Sequence, residues 1–260
     1  MTNLRKYGKA PFGVALLHGG PGAPGEMAPV AQELSADWGV LEPLQTAASV
    51  EGQIEELHGV LNDNADLPVI LVGFSWGAWL GFMLAARHPA FVRKLILVGS
   101  GPFEDNYATG IEETRLSRLG EDERRQAISL MDALNDPSIE DKSAILAQLG
   151  KLFVRADAYA PLSLDTEALE CRYDIYRSVW RQAAELRSSG ELLELGKKIR
   201  CPVVAIHGDY DPHPAEGVRK PLTAVLKDFR FILLEHCGHI PWIERQAKDS
   251  FYEILESELH

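Results

Sequence analysis

Gly73-Phe74-Ser75-Trp76-Gly77 sets a serine between two glycines. The apolar run Val69–Phe74 leads into it and an apolar helical pattern, Ala78 to Arg87, follows. A strand, a sharp turn with serine at its tip and then a helix expose a hydroxyl as a nucleophile. Glycine on each side keeps Cβ atoms out of a crowded turn. The helix start aims backbone N–H groups and the positive end of its dipole at the serine. Chance places such a five-residue pattern in roughly a tenth of chains this long. The reading therefore depends on a base, an acid and an oxyanion site elsewhere in the chain.

A serine hydroxyl needs a base to take its proton. In open α/β sheets that base belongs in a loop at the carboxyl ends of the strands. His239 satisfies this, within Glu235-His236-Cys237-Gly238-His239-Ile240-Pro241-Trp242, just past the strand pattern Phe229–Leu234. An acid must hold the imidazole tautomer and offset its charge. The run Val203–His207 ends in Gly208-Asp209-Tyr210-Asp211-Pro212, and either aspartate suits the role. The order serine, aspartate, histidine is that of one fold in particular.

The elements that would position these groups are legible as short apolar runs. Phe12–Leu17, Gly39–Leu44, Val69–Phe74, Leu95–Val98, Val203–His207 and Phe229–Leu234 predict strands, most of them continuous apolar runs of the kind buried on both faces. Helical patterns lie between them at Val50 to Leu61, Ala78 to Arg87, Ala215 to Leu226 and Ile243 to Leu259. The alternation predicts an α/β fold with a mostly parallel sheet covered on both faces. Between Gly101 and Lys198 the rhythm changes to helical stretches near 121–134, 138–154 and 165–194. The expected organisation is a core of 1–101 and 199–260 with a helical insertion at 102–198.

Bulk properties narrow the function. A net charge of −12 over 260 residues argues against nucleic acid or an anionic membrane as partner. A small-molecule substrate is expected instead. The three cysteines, Cys171, Cys201 and Cys237, are widely spaced and odd in number, as in a reducing cytoplasm. Arg5, Lys6 and Lys9 precede only the short run Phe12–Leu17, too short for a signal peptide. A cytoplasmic location is expected. No apolar run approaches membrane-span length. No His and carboxylate pairing argues for a metal, and the chemistry needs neither metal nor cofactor.

These motifs together resemble the capped α/β-hydrolases of the proline iminopeptidase type. His18-Gly19-Gly20-Pro21-Gly22 is similar to their HGGPG oxyanion loop, and Gly73-Phe74-Ser75-Trp76-Gly77 to their nucleophile elbow. Gly208–Asp211 resembles the G-x-x-D acid loop, which prefers Asp211 to Asp209, and Gly238-His239 resembles the G-H loop. The resemblance implies an oxyanion hole made by the N–H groups of Gly20 and Trp76. It implies a catalytic Ser75–Asp211–His239 set and a cap over residues 102–198. Family members open with two strands before the HG loop, whereas only 11 residues precede Phe12 here. A sheet of about six strands is therefore expected.

Other residues allow plainer readings. His18 suits a structural role in its loop, and His207 and His236 are simplest as strand-end residues. Trp79 reads as core, whereas Trp76 is a candidate pocket residue. Tyr173, Tyr176 and Trp180 fall at i, i+3 and i+7 on one helical face. That face suits either helix packing or an apolar lid for substrate. Glu170 and Asp174 lie nearby in sequence. The resemblance to the iminopeptidases, whose cap carboxylates bind a substrate amine, implies that role for an acid here, although no motif fixes the position. The expected activity is a serine hydrolase cleaving a small ester or amide through an acyl-enzyme. Alternatives are an iminopeptidase-type aminopeptidase, an acyltransferase using the same triad, or a ligand-binding protein on a hydrolase scaffold.

Overall fold

The structure is a computed structural model describing residues 3–164 and 171–260. Its strands are β1 (Leu4–Tyr7), β2 (Val14–Leu17), β3 (Val40–Pro43), β4 (Val69–Phe74), β5 (Val92–Val98), β6 (Val203–Gly208) and β7 (Phe229–Leu234). They form one sheet in the order β1-β3-β2-β4-β5-β6-β7. All neighbours are parallel except β1, which runs antiparallel to β3. The fold class is therefore the α/β-hydrolase fold expected, but the sheet has seven strands rather than six. The extra strand, Leu-Arg-Lys-Tyr, carries no apolar run. It is held by its ladder to β3 and by Tyr7, whose hydroxyl donates to Glu42 Oε2 at 2.8 Å.

Helices cover both faces. They are α1 (Ala28–Leu34), α2 (Val50–Asn64), α3 (Trp76–Arg87), α4 (Ile111–Arg118), α5 (Glu121–Asn135), α6 (Ser143–Asp157), α7 (Tyr173–Ser188), α8 (Glu191–Glu194), α9 (Glu216–Val225) and α10 (Lys248–Leu259). Alternate residues of β4 serve two cores. Val69 and Leu71 pack towards α2, α3 and α9, while Ile70, Val72 and Phe74 pack towards α1 and α10. α3 is buried almost throughout because it lies against the sheet centre. α2 starts at Ser49, whose Oγ accepts from Gly52 N at 3.0 Å. The last helical pattern is broken: Pro241–Ile243 is a 3-10 turn, and α10 begins only at Lys248.

Between β5 and β6 the described residues form α4 to α8 and no strand. α4 was not among the expected helices; six of its eight residues are polar or charged (Glu112, Glu113, Thr114, Arg115, Ser117 and Arg118), and none is buried. α7 buries Ile175, Val179 and Ala183, a stripe at spacing i, i+4, i+8, in the core shared by α2 and α3. Each of its larger apolar residues contributes about 1.5–3 kcal/mol on burial. A smaller cluster of Leu119, Ala127, Leu149 and Ala156 unites α4, α5 and α6. Among the described residues no helix is long and apolar enough to cross a membrane.

Candidate active site

Ser75 sits where β4 turns into α3, with φ 51° and ψ −112°. A non-glycine residue there is strained, and such strain is held only where the surroundings over-determine it. The surroundings do. Ser75 N donates to Val98 O at 2.9 Å, and Ala78 N to Ser75 O at 3.1 Å. A Cβ on Gly73 would collide with the Gly77 carbonyl, and one on Gly77 with the carbonyls of Leu17 and His18. The elbow can close only with glycine at both positions. Ser75 occupies the N-cap position of α3, yet its side chain makes no capping bond. The hydroxyl is thus not committed to the helix.

The close approach at Gly77 brings the end of β2, and with it His18–Gly22, beside the start of α3. His18 is fully buried. Its Nε2 accepts from Gln45 N at 3.3 Å, so Nδ1 carries the proton and donates to Gly19 O at 2.6 Å. Burial pushes its pKa down to about 4, which keeps it neutral and structural. Gly20 has φ +30° and closes a turn through Ala23 N to Gly20 O at 2.9 Å. Gly22 accepts from Arg172 N at 2.7 Å, tying the loop to the start of α7. Behind Gly19 stands the half-buried Glu26, whose pKa burial pushes up to about 7.

His239 and Asp211 meet across the loops that follow β7 and β6. His239 Nδ1 donates to Asp211 Oδ2 at 2.7 Å, and both residues are buried. Asp209 instead accepts from Cys237 N at 3.0 Å and fastens the two loops together. Of the two aspartates open from the sequence, it is Asp211 that touches His239. Burial opposes charge on both groups. Even so, His239, His213 and His207 hold Asp211 well below the usual carboxylate range. The Asp211 charge and hydrogen bond raise His239 above an ordinary histidine despite its burial. Since Nδ1–H faces Asp211, Nε2 keeps its lone pair. The Phe74 ring, adjacent in sequence to Ser75, lies 4.9 Å from the His239 ring. Among the described contacts the Ser75 hydroxyl makes no hydrogen bond to His239.

Several residues with no sequence signal support this centre. His239 N donates to Asp157 O at 3.0 Å, at the end of α6. Asp157 receives a bidentate pair from Arg115 of α4, with Nε at 2.8 Å and Nη2 at 2.6 Å. Glu244 has no exposure and accepts from Tyr159 N and Ala160 N at 2.7 Å each and from Gly238 N at 2.9 Å. His213 donates to Asp211 Oδ1 from Nδ1 at 2.8 Å and from its backbone N at 2.9 Å. Its position two residues beyond Asp211 is the one hint the sequence carried.

The other expected site residues are dispersed. Trp76 is 1% exposed and its Nε1 donates to Gln53 Oε1 at 2.8 Å, so its side chain is core. Tyr173, Tyr176 and Trp180 form a stack that continues onto Trp79, with Trp180 and Trp79 centroids 5.8 Å apart and parallel within 4°. Tyr173 donates to Leu134 O at 3.0 Å, a packing role. Burial pushes the pKa of the Tyr176 hydroxyl up, and the hydroxyl feels the Arg115 guanidinium. Asp174 is exposed and paired with Arg172. Glu170 lies outside the described residues. Asp211, His213 and His239 have ligand atoms within 4.8 Å of one another, the spacing of a metal site. Their mutual hydrogen bonds already account for that closeness. Cavities of about 480 and 680 Å³, beside Trp38 and beside Lys198, are lined by none of these residues.

The sequence matches the alpha/beta hydrolase family over residues 14–250. The chain belongs to that family. It is similar to two proteins named pimeloyl-[acyl-carrier protein] methyl ester esterase. The one from Nitrosospira multiformis is 28% identical over 208 residues, 74% of this chain and 72% of that protein. The one from Nitrosomonas europaea is 26% identical over 196 residues, 73% and 71%. Among solved structures, proline iminopeptidase from Mycobacterium smegmatis superposes with a TM-score of 0.65 and 17% identity, covering 99% of this chain and 93% of that one. At that identity the likeness is one of fold. The relatives it resembles in sequence are thus named as esterases, while its likeness to the iminopeptidase is one of fold alone.

Proposed function

We propose that this chain is a serine hydrolase that cleaves a small carboxylic ester through an acyl-enzyme, with residues 102–198 capping the site. One observation carries the reading: His239 gives Nδ1–H to Asp211 at 2.7 Å, which leaves Nε2 free as a base, with the ring against Phe74, the residue before the uncapped Ser75. In the proposed cycle Nε2 takes the Ser75 proton as Oγ attacks the ester carbonyl. Asp211 stays ionised and stabilises the imidazolium. The negative oxygen rests on the N–H groups of Gly20 and Trp76, each worth about 3–4 kcal/mol in the transition state. His239 then returns the proton to the leaving alkoxide. Water, activated by the same imidazole, releases the acid and restores Ser75.

The esterase names of the two relatives favour an ester over an amide. An iminopeptidase-type reading needs a carboxylate free for the substrate amine, and Asp174 is exposed and engaged by Arg172. The proposal is tested with a fluorophosphonate probe and p-nitrophenyl esters of graded acyl length beside a prolyl arylamide. Wild type is expected to label at Ser75 and to cleave esters only. Labelling of Ser75→Ala at the wild-type rate would refute the nucleophile, and prolyl arylamide cleavage would refute the ester preference.

A further inference from the structure

Asp211 is shared by two imidazoles. His239 Nδ1 takes Oδ2 at 2.7 Å, and His213 Nδ1 takes Oδ1 at 2.8 Å. The two rings lie 4.7 Å apart at 35°. A carboxylate only accepts, so both Nδ1 atoms carry hydrogen. His213 is 8% exposed, and its loop is pinned from behind. His207 Nε2 donates to His213 O at 2.8 Å and stands 3.6 Å from Asp211 Oδ2. We infer that His213 is a positioning residue: its Nδ1–H fixes Oδ1 so that Oδ2 stays aimed at His239, and it draws off part of the carboxylate charge that would otherwise reach that imidazole. This rests on the serine hydrolase reading above.

The two imidazoles compete for one anion. Hydrogen bonds to an ionised carboxylate are short and strong, and each disperses its charge. Both rings carry Nδ1–H, but a single negative charge offsets only one of them as a doubly protonated imidazolium. His213 is the one kept neutral, since burial and the neighbouring His239 push its pKa down to about 4. It therefore acts as a fixed dipole through the cycle. The remaining ionisable neighbours of this centre are Arg115 on α4, Asp157 ending α6, His207 on β6 and Glu26 before α1. None of them contacts Oδ1.

Two substitutions separate donation from packing. His213→Phe keeps a ring of similar size and removes the donor. His213→Asn keeps an N–H near the Nδ1 position and removes the ring. The readout is the pH dependence of fluorophosphonate labelling at Ser75, which needs no knowledge of the natural substrate. Without the donor, more carboxylate charge falls on His239 and its imidazolium persists to higher pH. The acid limb of His213→Phe should rise by about half to one pH unit, slowing labelling at pH 6 roughly three- to tenfold. His213→Asn should follow wild type. The reverse pattern, Phe like wild type and Asn displaced, would overturn the inference and leave His213 a packing residue. If the Phe variant does not melt cooperatively, the Asn profile decides alone: an unmoved limb supports the inference and a displaced one refutes it. Wild-type protein that fails to label at Ser75 would instead overturn the hydrolase reading and this inference with it.

Discussion

The backbone N–H of His239 donates to the carbonyl oxygen of Asp157 at 3.0 Å, joining the proposed base to the last residue of α6. The helical segment between β5 and β6 is thus bonded directly to the loop that carries the base. Glu244 reinforces the junction by accepting N–H bonds from Gly238 on one side and from Tyr159 and Ala160 on the other. Glu244→Ala would leave three backbone donors without their carboxylate. Breaking such a buried charged network costs about 3–5 kcal/mol. For a domain of this size that lowers the melting temperature by roughly 6–20 °C. Turnover should fall as well, because His239 loses its fixed loop. A thermal melt together with ester turnover checks this; a variant with wild-type melting would show that the junction is not held by Glu244.

Asp211 and Asp209 are two residues apart and do different work. Asp211 orients His239, whereas Asp209 accepts the Cys237 N–H at 3.0 Å. Asp211→Asn should keep the fold and cut kcat by about 10⁴, as loss of the orienting acid does in serine hydrolases. Asp209→Asn should change turnover little and lower stability by about 1 kcal/mol, through a weaker neutral bond. Equal effects of the two on kcat would contradict this division.

The elements that carry the proposed triad are the most legible in the sequence. Ser75, Asp211 and His239 each lie in the loop that follows a strand. β4 and β6 are fully buried apolar runs, as a parallel sheet interior requires, whereas β7, at the sheet edge, is an apolar run of which only Leu234 is buried. β1 was missed because Arg5 and Lys6 give it no apolar pattern; its ladder to β3 makes it a strand. α4 was missed because no residue of it is buried. The supports of His239 were invisible for another reason. Asp157, Glu244 and His213 act through contacts between distant loops or through a precise local turn, and neither leaves a periodic trace. The tyrosines of α7 were ambiguous from spacing alone, and only the stack onto Trp79 separates Trp180 from the solvent side.

Acid should weaken the fold before it protonates Asp211. His18 and His213 are buried neutral, with pKa values pushed down to about 4. Unfolded, each titrates near 6.5. Between pH 6.5 and 4 the unfolded chain binds more protons, so stability rises with pH across that window. Each histidine contributes up to about 3 kcal/mol. Glu26, raised to about 7, works against them, because its stabilisation is present at low pH and lost as pH rises through 7. Urea midpoints at pH 5, 6 and 7 should therefore climb in wild type. The climb should be shallower in His213→Asn and steeper in Glu26→Gln. Parallel slopes in all three proteins would show that these groups do not titrate as placed.

Glycine substitutions should divide by position. Gly59 in α2 and Gly150 in α6 are interior helix residues where an added Cβ meets nothing within 4 Å. Alanine at either should raise stability by about 0.5–1 kcal/mol, by lowering the entropy of the unfolded chain and favouring the helix. Gly77 also lies in a helix, yet its Cβ would meet the Leu17 and His18 carbonyl oxygens. Those atoms belong to the end of β2 and the start of the HGGPG loop, which cannot withdraw without disturbing the sheet. Gly77→Ala should therefore lose about 3 kcal/mol or more, and fluorophosphonate labelling should drop with it, since the turn at Ser75 and the His18–Gly22 loop must part. Urea unfolding of the three variants beside wild type checks the contrast. A stable, fully labelled Gly77→Ala protein would show that the elbow does not need the close approach of β2 and α3.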